Sequence, residues 1–99
     1  MNHYILNGSF REGRPEGPAF KALLDAHHAY LAPFIADGTI LFSGPKPGGG
    51  GVIVLKCENE EAVQAFCAAD PFVTGGVQDY EIILFKPFAC QDAIKDWFA

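Results

Sequence analysis

What this chain lacks narrows its function first. No apolar run comes near the ~20 residues that a membrane-crossing helix needs. Basic residues are scarce, 7 Lys and Arg against 12 Asp and Glu, for a formal net charge of −5. Nucleic-acid surfaces need clustered Lys and Arg, so no nucleic-acid partner is expected. The opening residues, Met1 to Ile5, lack the charged and then apolar layout of a secretory signal. Cys57, Cys67 and Cys90 are odd in number and show no C-x-x-C spacing. They predict reduced thiols in a cytoplasmic protein, with neither a disulfide framework nor a zinc site. Cys57 and Cys67 fall on apolar faces and read as core filler. No G-x-S-x-G and no cysteine beside a histidine marks an activated nucleophile.

What is present is apolar and aromatic. Of 99 residues, 49% are hydrophobic and 9 are Phe, while 19% are charged. That length predicts one domain over residues 1–99, ending in a short amphipathic helix within 90–99. Such a domain buries roughly 60–70% of its extended-chain surface, which leaves little chain to wall off a ligand. A second copy would supply the missing wall, so a homodimer or higher homo-oligomer is expected.

The elements follow from periodicity. Tyr4–Asn7 predicts a short strand, and residues 8–17 a loop by composition. Pro18 suits a first helical turn, where its missing N–H costs nothing. Phe20, Leu23, Leu24, Leu31, Phe34 and Ile35 then recur at helical steps up to Asp37-Gly38, with Pro33 predicting a kink or break in the last turn. Residues 39–43 and 52–57 predict strands joined by a glycine-rich turn. Asn59 is a good N-cap for a second helix, with Glu60 and Glu61 in its first turn. Asp70-Pro71 closes that helix, and Val77 to Phe88 predicts a long last strand. The order β-α-β-β-α-β is that of an α+β, ferredoxin-like domain. It implies an antiparallel four-stranded sheet with both helices on one face. The other face needs cover, which the sheet of a second subunit would give.

His27 lies near the centre of the first helix's apolar stripe, with His28 at its edge. An imidazole there needs partners for ring nitrogens that lack water. It is either a core histidine bonded to a carbonyl or a functional group. Asp70 likewise has two readings. Asp before Pro caps a following helical turn. Yet Asp70 also ends the second helix, where the dipole disfavours a carboxylate, amid Phe66, Cys67, Pro71 and Phe72. A cationic or N–H partner such as His27 would suit it. A His–Asp pair fixes the imidazole tautomer and equips it to move protons near neutral pH.

Adjacent His27 and His28 diverge by about 100° on a helix, so they do not predict a metal site. The glycine run 48–51 precedes a strand and lacks a following Lys-Ser/Thr pair, so it predicts a hairpin turn and no phosphate cradle. Arg11 and Arg14, the only arginines, sit in the first loop and are candidates to clamp an anionic substrate; solvated loop charges are the alternative. Ser43 and Tyr80 lie on strands and are candidate cavity residues whose sidedness the sequence leaves open.

Taken together, His27-His28-Ala29-Tyr30-Leu31, Asp37-Gly38, Ser43-Gly44-Pro45, Asp70-Pro71-Phe72-Val73 and Lys86-Pro87-Phe88 resemble the YCII-like (YciI-related) family over nearly the whole chain. The resemblance implies a ferredoxin-like dimeric α/β barrel with a His–Asp active site, and it maps the histidine to His27 and the aspartate to Asp70. Better-defined members of that family are small lyases that remove HCl from chlorinated hydroxyhydroquinones. The resemblance therefore implies a cofactor-independent dehydrochlorinase-type lyase of aromatic degradation, with an aromatic or quinone-like substrate. Arg11 or Arg14 would hold its phenolate oxygens. The glycine-only hairpin and the long first loop depart from many relatives, at positions that rim a pocket. A non-catalytic binding or regulatory module, and a cofactor-free oxygenase or isomerase, are the alternatives.

Overall fold

A computed structural model describes all 99 residues. The elements are β1 (Asn2–Phe10), α1 (Gly17–Ala36), β2 (Ile40–Pro45), β3 (Gly51–Cys57), α2 (Glu60–Ala69), the one-turn α3 (Pro71–Thr74) and β4 (Gln78–Phe85), then a 3-10 segment over Asp92–Phe98. The strands form one sheet in the order β2-β3-β1-β4, and every neighbouring pair is antiparallel. This is the α+β, ferredoxin-like arrangement expected from the element order.

Alternation along the strands sorts their side chains onto two faces. Tyr4 and Leu6 on β1, with Ile53, Leu55 and Cys57 on β3, are buried against Leu31 of α1 and Val63, Phe66 and Cys67 of α2. Tyr30 adds to this core by donating its hydroxyl to the Phe66 carbonyl at 2.8 Å. Cys57 and Cys67 are buried free thiols, as their faces predict. Burial pushes the Cys67 thiol up to about 12, so it stays protonated and packs as an apolar group.

Local signals act where the sequence placed them. The Asn59 side chain accepts from the Ala62 N–H at 2.9 Å and starts α2. The Gly-rich stretch is the β2–β3 turn, with Gly48, Gly49 and Gly50 all at positive φ. A Cβ at Gly50 would lie 2.0 Å from the Gly8 carbonyl, so glycine lets the turn close onto β1.

Three expectations need correction. First, β1 continues through residues 8–10, which composition assigns to loop. It is an inner strand paired on both sides, and ladder bonds to β4 as far as Phe10↔Gln78 outweigh the local loop signal. Second, Pro33 does not end α1, which runs on to Ala36. Its missing N–H falls in an exposed last turn, where Asp37 N–H still reaches the Pro33 carbonyl at 3.0 Å. Third, β4 stops at Phe85 and the chain from Lys86 onward leaves the sheet.

The second sheet face carries His3, Ile5 and Asn7 from β1, Val54 and Lys56 from β3, and Ile83 and Phe85 from β4, as the registers dictate. A register shift between Ile40 and Phe42 turns Phe42 onto this face as well. The 3-10 segment covers one end of it. Trp97 donates its indole N–H to the Gly38 carbonyl at 2.6 Å, and Lys56 Nζ donates to the Trp97 carbonyl at 2.8 Å. Phe42 and Ile83 stay exposed beyond the segment's reach.

Candidate active site

Asp70 is the most constrained polar residue in the molecule. It links α2 to α3 and is fully buried. Its backbone is extended because Pro71 follows, and its Oδ1 accepts from the Phe72 N–H at 2.9 Å. That is the capping role expected of Asp before Pro. The same carboxylate also faces Nδ1 of His27, at 2.8 Å from Oδ1 and 3.0 Å from Oδ2. Tyr80 donates its hydroxyl to Oδ2 at 2.6 Å. The two readings of Asp70 are therefore both realised in one side chain.

Three donors converge on this buried carboxylate, which satisfies it as an anion. An ionised carboxylate only accepts, so His27 Nδ1 carries the hydrogen between them. The imidazole's other nitrogen, Nε2, is then the one free to meet a ligand. Phe72 fixes the ring plane: its centroid lies 4.2 Å from that of His27, at an interplanar angle of 3°. Ring position, tautomer and plane are thus set by α1 and, at the α2–α3 junction, by Phe72 and by Asp70, 43 residues beyond His27 along the chain.

Tyr80 cannot serve as an acid at ordinary pH. Burial above all, and then its hydrogen bond to Asp70, push its hydroxyl far above the usual tyrosine range. It holds Asp70 in place.

His27 opens onto a cavity of about 390 Å³, bounded by α1, α3, β4, β1 and the β2–β3 hairpin. Its wall is apolar and aromatic around Phe10, Phe20, Leu24 and Phe72, with His28, Ser43, Gln78 and Tyr80 as polar members. Phe20 and Phe72 pack at 5.8 Å, and Phe10 meets both edge-on. Ser43 and Tyr80, whose sidedness the sequence left open, both face this helix-covered side. His28 lines the same cavity with its ring 5.8 Å from that of His27.

Neither arginine lines this cavity, although Arg14 lines an adjoining hollow that shares Phe10 and Phe20 with it. Arg11 follows the end of β1 and pairs with Asp79 at 3.3 Å. Arg14 lies over the Phe10 ring at 4.7 Å, and its guanidinium donates to the Arg11 carbonyl. Extending β1 to Phe10 carries Arg11 past the cavity and leaves Arg14 on the outer side of Phe10. No cationic Lys or Arg side chain forms part of the wall.

Two wall residues escaped the sequence reading. Phe10 fell in a stretch assigned to loop. Gln78 carries no motif signal, and only the sheet register with Phe10 turns it inward.

Residues 6–86 match the model of the YCII-related domain. This chain belongs to the YCII-related family. It is 35% identical over 74 residues to protein YciI of Escherichia coli O6:H1, a match covering 64% of this chain and 74% of that protein. It is 30% identical over 78 residues to an uncharacterized protein of Haemophilus influenzae, covering 68% and 78%. Among solved structures it resembles 5-chloro-2-hydroxyhydroquinone dehydrochlorinase (TftG) from Burkholderia phenoliruptrix, captured with 2,5-dihydroxybenzoquinone. That likeness has a TM-score of 0.65 at 23% identity and covers 87% of this chain and 93% of that one. At such identity it establishes the shared fold. No helix here is long and apolar enough to cross a membrane.

Proposed function

We propose that this chain is a cofactor-independent lyase whose His27–Asp70 pair moves protons on a hydroxylated aromatic ring. The reaction proposed is dehydrochlorination of a chlorinated hydroxyhydroquinone. The observation that carries this reading is the His27 imidazole held edge-on by a buried carboxylate and face-on by Phe72, with Nε2 left to an aromatic-walled cavity. A cavity of about 390 Å³ suits a single substituted ring, and it lies within the range of roughly 300–1,000 Å³ usual for small-molecule sites. Membership of the YCII-related family, and a fold shared with a dehydrochlorinase that binds a dihydroxybenzoquinone, support the same substrate class.

The step balances without an oxidant. His27 Nε2 takes a phenolic proton while the O–H electron pair becomes a ring carbonyl, and the ring carbon bearing chlorine gains a proton. Loss of a second phenolic proton then forms the second carbonyl, and chloride departs with the C–Cl electron pair. The products are a hydroxyquinone, chloride and a proton. Asp70 gives the transient imidazolium a countercharge and keeps Nε2 aimed at the ring. Ser43 contacts the substrate from the hairpin side, and Tyr80 acts through Asp70.

Phe42 and Ile83 on the open sheet face, together with the short chain, support the proposal that a second copy covers that face in a homodimer. Light scattering at working concentration tests this, and a monomer contradicts it.

Chloride release from 5-chloro-2-hydroxyhydroquinone under nitrogen, followed with a chloride electrode, tests the reaction. Turnover is expected in wild type, and His27→Ala should slow it about 10²–10⁴-fold, the usual worth of a positioned acid–base group. Unchanged release in His27→Ala refutes the mechanism. Ligand-dependent thermal stabilisation without turnover assigns the cavity to binding alone, and substrate-dependent oxygen uptake in air assigns it to oxygenation.

A further inference from the structure

The cavity holds one buried polar group that the proton chemistry does not use. Gln78 begins β4 and is 2% exposed, and its side-chain carbonyl oxygen Oε1 has no hydrogen-bond partner. Gln78 is among the residues of the cavity wall. A buried acceptor left unpaired carries its whole desolvation penalty, which a ligand's donor would relieve.

The Tyr80 hydroxyl gives its hydrogen to Asp70, so it has none to offer Gln78. Oε1 is the end of the amide that no protein donor reaches. Gly8 on β1 makes room for it, because a Cβ there would lie 2.8 Å from Oε1. The terminal amide torsion is broad, so a modest turn presents Oε1 to a ligand on the cavity floor.

We propose that Gln78 Oε1 is a specificity determinant that accepts a hydrogen bond from a second hydroxyl of the ligand, while His27 Nε2 accepts from the first. The inference rests on the hydroxylated-aromatic reading of the site. Two acceptors in a wall without Lys or Arg select an uncharged ligand with two donors. They reject ring carboxylates, for which the wall has no cation, and ethers, which would leave Oε1 orphaned.

Hydroquinone and its monomethyl ether, 4-methoxyphenol, differ in that one donor. Titration calorimetry under nitrogen should show hydroquinone binding to wild type roughly 10–100-fold more tightly, the cost of leaving a buried acceptor unpaired. Gln78→Met keeps the volume and removes the acceptor, so it should weaken hydroquinone and bring the ratio to within about 2-fold. His27→Asn should weaken both ligands and keep the ratio. In wild type the Gln78 side-chain carbonyl carbon resonance should move downfield with hydroquinone and stay in place with the ether, which tests the contact without any substitution. Equal wild-type affinities, a ratio that survives Gln78→Met, or an unmoved carbonyl resonance with hydroquinone bound overturns the role of Gln78 and leaves the site reading standing. Failure of wild type to bind either phenol overturns the site reading itself, and this inference with it.

Discussion

His27 and His3 are both imidazoles withdrawn from water, on opposite sides of one sheet, and their surroundings differ at every point. His27 meets a carboxylate at 2.8 Å, and its free nitrogen faces a cavity. His3 packs among Phe85, Trp97 and Phe98, with ring centroids 5.2–6.2 Å away, and its Nε2 has no partner. Burial first, and then the charges of the N-terminus and Lys56, hold the His3 pKa below its ordinary value. One ring faces a carboxylate, and burial among aromatic rings disfavours a charge on the other. Burial alone therefore says little about what a histidine does. The group facing it, and whether a ligand can reach it, divide the two.

The sharpest way to break this comparison is to remove the carboxylate's charge. Asp70→Asn offers one acceptor and an unwanted N–H₂ to three groups that all donate. Urea unfolding should show a loss of about 3–5 kcal/mol, since each of the three hydrogen bonds to this charged acceptor is worth about 1.5–3 kcal/mol. Chloride release should fall with it, because the imidazole loses the partner that sets its tautomer. A loss under about 1 kcal/mol would make the cluster incidental.

Tyr80→Phe is the next largest. It deletes one hydrogen bond to a charged acceptor, for an expected loss of about 1.5–3 kcal/mol. A residue that only filled space would leave chloride release unmoved. Tyr80→Phe should lower it, since Asp70 loses an anchor that holds it against His27.

His3→Phe should have the smallest effect and should leave chloride release unchanged. The sign of its pH effect is fixed by the depressed pKa in the folded state. The unfolded chain binds the His3 proton more readily, so His3 contributes stability above about pH 6.5 that is lost as pH falls through the folded value. The wild-type urea midpoint should drop between pH 7.5 and 5.5 by more than the variant's. Equal drops would mean that His3 is free to protonate.

Much of this was legible in the chain. Helical phase alone put His27 on the buried side of α1, because a 20-residue amphipathic helix leaves little freedom of rotation about its axis. Asp70 was legible as a cap from Pro71, and its apolar setting at the end of α2 pointed to a partner such as His27. Its bond to Tyr80, ten residues on in another element, was not legible, because no local pattern carries that distance. Residues 8–10 read as loop because Gly8 and Ser9 are poor strand formers, while the pairing that makes them strand comes from β4. That error displaced Phe10, which at full strand length stands in the cavity wall between the cavity and Arg14. Phe42 changes face through a register shift, which period-two reasoning cannot foresee. Gln78 was silent because an unpaired acceptor is a property of the assembled wall.

Asp70 holds His27 with hydrogen on Nδ1 and a bare Nε2 turned to the cavity. Nitrogen-15 NMR of the imidazole at neutral pH, with and without hydroquinone, reads both nitrogens. Nδ1 should be protonated, Nε2 should show the shift of an unprotonated nitrogen, and the Nε2 resonance alone should move when the phenol binds. Hydrogen found on Nε2 with Nδ1 bare, or an Nε2 resonance indifferent to bound phenol, would contradict this arrangement.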